Sequence, residues 1–93
     1  MTGSTRSSEG LDTRRRRILY RAWHRGTREL DLIVGPFTDA VIAELDEPTL
    51  TEYERLLEVP DPQLYAWVTA EEPVAPDYDS AVFRRLQAFH QDK

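Results

Sequence analysis

Arg25-Gly26-Thr27-Arg28-Glu29 stands between two helical patterns, and the reading on either side of it decides the fold. Upstream, Ile18, Leu19, Ala22 and Trp23 fall at i, i+1, i+4 and i+5, one contiguous stripe on a 3.6-residue period. That spacing predicts a first helix from Leu11 or Asp12 to Arg25, capped by Asp12 or Thr13. Downstream, Leu30, Ile33, Val34, Phe37, Val41 and Leu45 keep helical spacing and predict a second helix from Arg28 to about Ala43. Gly35-Pro36 lies inside it. Proline removes one backbone hydrogen bond and crowds the carbonyl of Leu32, so a kink is expected; the apolar stripe crosses it in phase, so the helix is kept whole. Gly26 can end the first helix at C′ with left-handed backbone, or cap the second with Glu29 reaching back to its amide. Either role accounts for Gly-x-x-Glu without any function.

Three more helices follow. Leu45-Asp46-Glu47-Pro48 is a helix start, with Asp46 as cap and proline in the first turn, and Leu50, Tyr53, Leu56 and Leu57 give the inner face. Val59-Pro60 stops that helix, and Asp61-Pro62 repeats the start signal for a short fourth one carrying Leu64, Tyr65, Trp67 and Val68. Glu71 to Asp77, with Pro73 and Pro76, is expected as an exposed loop. Asp79 or Ser80 then caps a fifth helix with Val82, Phe83, Leu86 and Phe89 inside, and Trp23 and Trp67 are assigned to the core. No stretch alternates with period two over a strand's length. The expected class is therefore all-α, a compact five-helix bundle in one domain over residues 12–91. Residues 1–11, rich in Ser, Thr and Gly at their start, cannot repay the entropy of ordering and are expected as a flexible tail.

Composition narrows the chemistry. A chain of 93 residues allows one domain, which buries only about 60 to 65% of its unfolded surface. It has no cysteine and two histidines, so neither a thiolate nucleophile nor a zinc module is available, and no metal site is expected. Its four glycines are dispersed, so there is no phosphate loop, and no serine stands beside a base. The expectation is a non-enzyme with no catalytic residues. No apolar run approaches the roughly 18 to 20 residues of a membrane span, which predicts a soluble protein. The arginine- and serine-containing start is superficially like an organellar transit peptide, but Glu9 and Asp12 interrupt it. A bacterial cytoplasmic protein is the simpler expectation than a mitochondrial matrix one.

Charge is unevenly spread. Residues 1–28 hold eight arginines against Glu9 and Asp12, a net +6, whereas residues 29–93 hold four basic residues against fifteen carboxylates, a net −11. Such asymmetry points to a basic surface offered to a partner. Arg14, Arg17, Arg21 and Arg25 recur at spacings of three and four and form one ridge. Like charges at i,i+4 cost an isolated helix about 0.2 to 0.5 kcal/mol per pair, so something outside the helix must compensate. The acidic remainder of the chain can do this, an acidic partner can, and the two can share the ridge. Glu29 and Asp31 gain from the macrodipole at a helix start; alternatively Glu29, beside Arg25 and Arg28, is held for a partner's backbone or basic group.

Arg17-Ile18, Arg25-Gly26-Thr27-Arg28-Glu29-Leu30-Asp31, Pro36-Phe37, Leu56-Leu57-Glu58, Asp61-Pro62, Leu64 and Trp67 together resemble the SdhE-like (YgfY-like, RGxxE-motif) succinate dehydrogenase assembly factors. A lone RGxxE is weak, but this combination covers about Arg14 to Phe89 and is specific. The resemblance implies a YgfY-like helical domain that binds the flavoprotein subunit of succinate dehydrogenase, and in some bacteria that of fumarate reductase. It also implies that the chain promotes covalent attachment of FAD to a histidine of that subunit. It puts Arg25, Gly26 and Glu29 at the interface with Arg17 and Asp31 beside them; the ridge adds Arg21, and Arg28, next to Glu29, completes the candidate partner-binding set. Cofactor contact stays open: no dinucleotide fingerprint is present, so no FAD is expected to bind independently of the client. A rival reading is a small basic-helix module for nucleic acid or another protein, against which the −11 of residues 29–93 counts.

Overall fold

A computed structural model describes residues 10–92, so the expected flexible tail lies, but for its last residues, outside the described residues. Among them are five α-helices, α1 (Thr13–Trp23), α2 (Arg28–Val41), α3 (Glu47–Leu57), α4 (Asp61–Val68) and α5 (Ala81–Gln91), a single 3-10 turn at Pro76–Tyr78, and no strand. The all-α class is as expected. The helices group into two units that divide between Leu45 and Asp46.

In the first unit α1 packs on α2. Asp12 caps α1, its Oδ1 accepting the Arg15 N–H at 2.8 Å. Ile18, Leu19 and Ala22 form the buried face of α1. The helix stops at Trp23, two residues short of the expected Arg25, because the Arg25 N–H goes to the Asp31 carboxylate at 2.8 Å rather than to the Arg21 carbonyl, which accepts from His24. α2 runs through Pro36 and ends at Val41, burying Leu30, Ile33, Val34, Gly35, Phe37, Thr38 and Val41. Thr38 pays for its burial by donating its hydroxyl to the Val34 carbonyl at 2.7 Å.

In the second unit α3 and α4 each pack on α5. Asp46 caps α3 as expected, accepting the Thr49 N–H at 3.0 Å. α4 starts at Asp61-Pro62 as expected, without a side-chain cap. Pro60, with φ −56 and ψ 144, supplies the extended cap residue and its carbonyl takes the Leu64 N–H, so Asp61 is already the first helical residue. Beyond α4 the Glu71 N–H bonds Ala66 and the Ala70 N–H bonds Trp67, a Schellman closure whose left-handed residue is Ala70 at φ 65. Ser80, rather than Asp79, caps α5 through its hydroxyl and the Phe83 N–H at 3.2 Å. Asp79 instead pairs with Arg84 at 2.9 Å. Trp67 is buried, whereas Trp23 is half-buried.

Candidate functional site

The α1–α2 joint is built from three local decisions. His24 leaves helical backbone at φ −133 and ψ 51. Gly26 takes φ 112, a region that a side chain with a Cβ enters only under strain. Thr27 then caps α2, its Oγ1 3.4 Å from the Leu30 nitrogen. Gly26 is therefore neither C′ of α1 nor N-cap of α2, correcting both expected roles, and Glu29 is not the residue that reaches back. That residue is Asp31, whose carboxylate takes the Arg25 N–H across the turn.

The expected binding residues divide accordingly. Asp31 is half-buried and spends its carboxylate on the joint. Arg28 and Glu29, the first two residues of α2, are exposed, as are Gly26 and, on α1, Arg17. Arg21 and Arg25 are half-buried. Among the described residues no carboxylate pairs with Arg17 or Arg21, so at those two positions the acidic remainder does not supply the compensation the ridge asks for.

Sequence reasoning passed over three features. Arg15 lies in the apolar stripe of α1, between Ile18 and Leu19 on the helical wheel, and is turned inward. Its Nε donates to the Ile42 carbonyl at 3.0 Å, one terminal nitrogen donates to the Leu45 carbonyl and the other meets Asp12 at 2.6 Å. It satisfies the carbonyl of the α2 C-cap, Ile42, and that of Leu45 in the segment after it, a task its place in the stripe could have signalled. The Asp12 carboxyl is held below the usual range first by the Arg15 N–H, then by its guanidinium. Trp23 rests on Gly35 and donates its indole N–H to Asp39 at 3.2 Å, a contact between distant residues that leaves no sequence signal. Tyr20 and His24, at i and i+4 on the outer face of α1, stack with ring centroids 3.9 Å apart.

Among the described residues no three His, Asp or Glu side chains are arranged to hold a metal. A hollow lined by Glu52, Arg55, Leu56, Asp77, Tyr78 and Ser80 has room for a water molecule, not for a flavin ring. No helix among the described residues is long and apolar enough to cross a membrane.

Residues 16–90 match the family described as "Flavinator of succinate dehydrogenase". The chain belongs to that family. The resemblance carried by Arg17 to Trp67 is thereby borne out. Similar relatives include a protein of Acetobacter pasteurianus named FAD assembly factor SdhE, 36% identical over 86% of this chain and 73% of its own length. Another, of Scheffersomyces stipitis, is named succinate dehydrogenase assembly factor 2, mitochondrial, and is 35% identical over 88% of this chain and 58% of its own length. A Dictyostelium discoideum protein of the same name is 31% identical over 83% of this chain and 55% of its own. The chain thus spans little more than half the length of those mitochondrial relatives.

Proposed function

We propose that this chain binds the flavoprotein subunit of succinate dehydrogenase and promotes covalent attachment of FAD to it, acting as a docking factor and not as an enzyme. The observation that carries the reading is the α1–α2 joint, in a chain of the flavinator family. A glycine at φ 112 brings the backbone to the surface without a side chain over it, Asp31 fixes the turn from beneath, and Arg28 and Glu29 are left exposed beside it. The partner-binding set is Arg17, Arg21, Arg25, Gly26, Arg28 and Glu29, with Asp31 as the internal tie. Arg17 and Arg21 steer an acidic surface of the client, Gly26 permits close backbone approach, and Glu29 makes an oriented charged contact.

Histidyl-flavin formation needs the histidine, the flavin and stabilisation of charge, all of which the client carries. FAD enters as the client's cargo, and no dinucleotide fingerprint in the sequence calls for a flavin site on this chain. What a docking factor contributes is differential affinity. By binding the client conformation in which histidine and flavin are aligned better than the others, it raises the population that reacts. The flavoprotein subunit of fumarate reductase presents the same chemistry and is the second client to test. The working compartment on this reading is the one where the flavoprotein folds, the cytoplasm for a bacterial chain.

The test uses the purified apo-flavoprotein subunit. Wild-type chain should co-elute with it on gel filtration and speed the appearance of a flavoprotein band that stays fluorescent after acid denaturation. Gly26→Arg should keep its helical circular dichroism and lose the complex. Complex formation by folded Gly26→Arg counts against the docking surface, and a normal flavinylation rate with Glu29→Ala removes Glu29 from its role.

A further inference from the structure

On the outer face of α1, one ridge runs Arg17, Tyr20, Arg21, His24 at spacings of three and four and leads directly into the joint at Arg25. Tyr20 is 65% exposed, the most exposed of the large apolar side chains among the described residues. A solitary exposed aromatic is ordinary. This one is held. Its ring stacks on the His24 imidazole with centroids 3.9 Å apart and planes within 16°. His24 is itself fixed, since its Nδ1 lies 2.7 Å from the Tyr20 carbonyl, and because a carbonyl only accepts, Nδ1 carries the hydrogen. The Tyr20 ring is thus ordered on the surface before anything binds it.

We infer that Tyr20, pre-ordered by His24, is the aromatic anchor of the docking surface, and that it enters an apolar socket of the flavoprotein subunit rimmed by carboxylates. The inference rests on the proposed function. Tyrosine is enriched among the few interface residues that carry most of the binding energy, because a large rigid ring with two side-chain torsions gives much contact for little entropy. Stacking on His24 removes part of that remaining cost in advance. The rim follows from charge: Arg17 and Arg21 flank Tyr20 on the ridge, and no carboxylate among the described residues pairs with either. A basic rim around an apolar knob selects a partner with the inverse arrangement.

The test measures dissociation constants for the complex with purified apo-flavoprotein subunit, using wild type, Tyr20→Ala, Tyr20→Phe, His24→Ala and His24→Phe, with thermal unfolding of each free variant alongside. Tyr20→Ala should weaken binding by roughly 30-fold or more, and Tyr20→Phe by less than about threefold. His24→Ala should weaken it about five- to tenfold by freeing the ring, whereas His24→Phe, which still stacks, should bind close to wild type. Unfolding midpoints should hardly move, because both side chains are exposed. Wild-type affinity in Tyr20→Ala, with Gly26→Arg still unable to bind, overturns the anchor and leaves the docking reading standing. Equal affinities for His24→Ala and His24→Phe overturn the pre-ordering. Failure of wild type to bind the flavoprotein removes the docking reading and the anchor with it.

Discussion

The indole of Trp23 lies so close to Gly35 that a Cβ on the glycine would stand 2.4 Å from Cδ2 and 2.5 Å from Cε2 of the ring. Contacts of that length do not occur between real atoms, so any side chain at position 35 must push the last residue of α1 away from α2. The same indole is tied at Nε1 to Asp39, which leaves it little room to yield. Trp23 is followed at once by His24, Arg25 and Gly26, so its seat on Gly35 also sets where the joint begins.

Gly35→Ala is therefore expected to destabilise, although alanine is the better helix former by about 1 kcal/mol. Overpacking of this kind costs about 1 to 3 kcal/mol, which outweighs the propensity gain at the upper end and cancels it at the lower. Adding Trp23→Leu to Gly35→Ala removes the obstructing ring and should recover part of the loss. Thermal unfolding of the single and double variants decides it; a Gly35→Ala chain with a raised midpoint would refute the close approach.

Asp31 should act on the joint without touching a partner. Its Oδ1 holds the Arg25 N–H at 2.8 Å, whereas Glu29 is exposed. Removing a hydrogen bond worth about 1 kcal/mol should speed hydrogen exchange at the Arg25 amide roughly fivefold in Asp31→Ala. Asp31→Asn keeps an acceptor oxygen and should exchange close to wild type. Glu29→Ala should leave that amide unchanged. Equal protection of Arg25 in wild type and Asp31→Ala would show that the bond contributes nothing.

The helices were legible because apolar residues at helical spacing have one physical use in a chain of this composition, and four of the five are capped by side-chain oxygens, those of Asp12, Asp46 and Ser80 as expected and that of Thr27 besides. Thr27 was nevertheless overlooked in favour of Gly26. Both are sound local solutions, and the choice turns on Asp31 capturing the Arg25 N–H, a bond that exists only once α2 has formed. The Tyr20–His24 stack was within reach of a sequence reading, since i,i+4 aromatics off the apolar stripe have nowhere else to go. The Trp23–Gly35 contact was not, because nothing in either residue's neighbourhood names the other. The candidate site was chosen by family likeness; that Asp31 turns inward while Arg28 and Glu29 stay exposed required the geometry.

The end of α4 offers a stabilising change. Ala70 holds the left-handed position of the Schellman closure at φ 65, where a Cβ is strained by roughly 1 to 2 kcal/mol. Glycine escapes that strain but loses more entropy on folding, by about 0.5 to 1 kcal/mol. Ala70→Gly should therefore stabilise by about 0.5 to 1 kcal/mol and raise the unfolding midpoint by a few degrees. A lowered midpoint would mean that the closure does not persist in solution.

Acid sensitivity should be set in part by two helix caps. The Asp12 carboxyl is held below its ordinary value of 3.8 by the Arg15 N–H and then the Arg15 guanidinium, and Asp46 is held below 3.8 by the Thr49 hydroxyl and N–H. A carboxyl whose folded value is depressed binds fewer protons folded than unfolded at acid pH. Its contribution is therefore complete above the unfolded value and is lost as pH falls through the folded one. The unfolding midpoint should be nearly level above about pH 5 and decline below about pH 4, where the unfolded carboxylates begin to take up protons. Asn at both positions keeps the capping oxygen and removes the titration. The Asp12→Asn, Asp46→Asn chain should thus start somewhat less stable at neutral pH and lose less on acidification, so that the two midpoint curves converge toward pH 3. Parallel curves across that range would show that neither cap carboxylate is linked to folding.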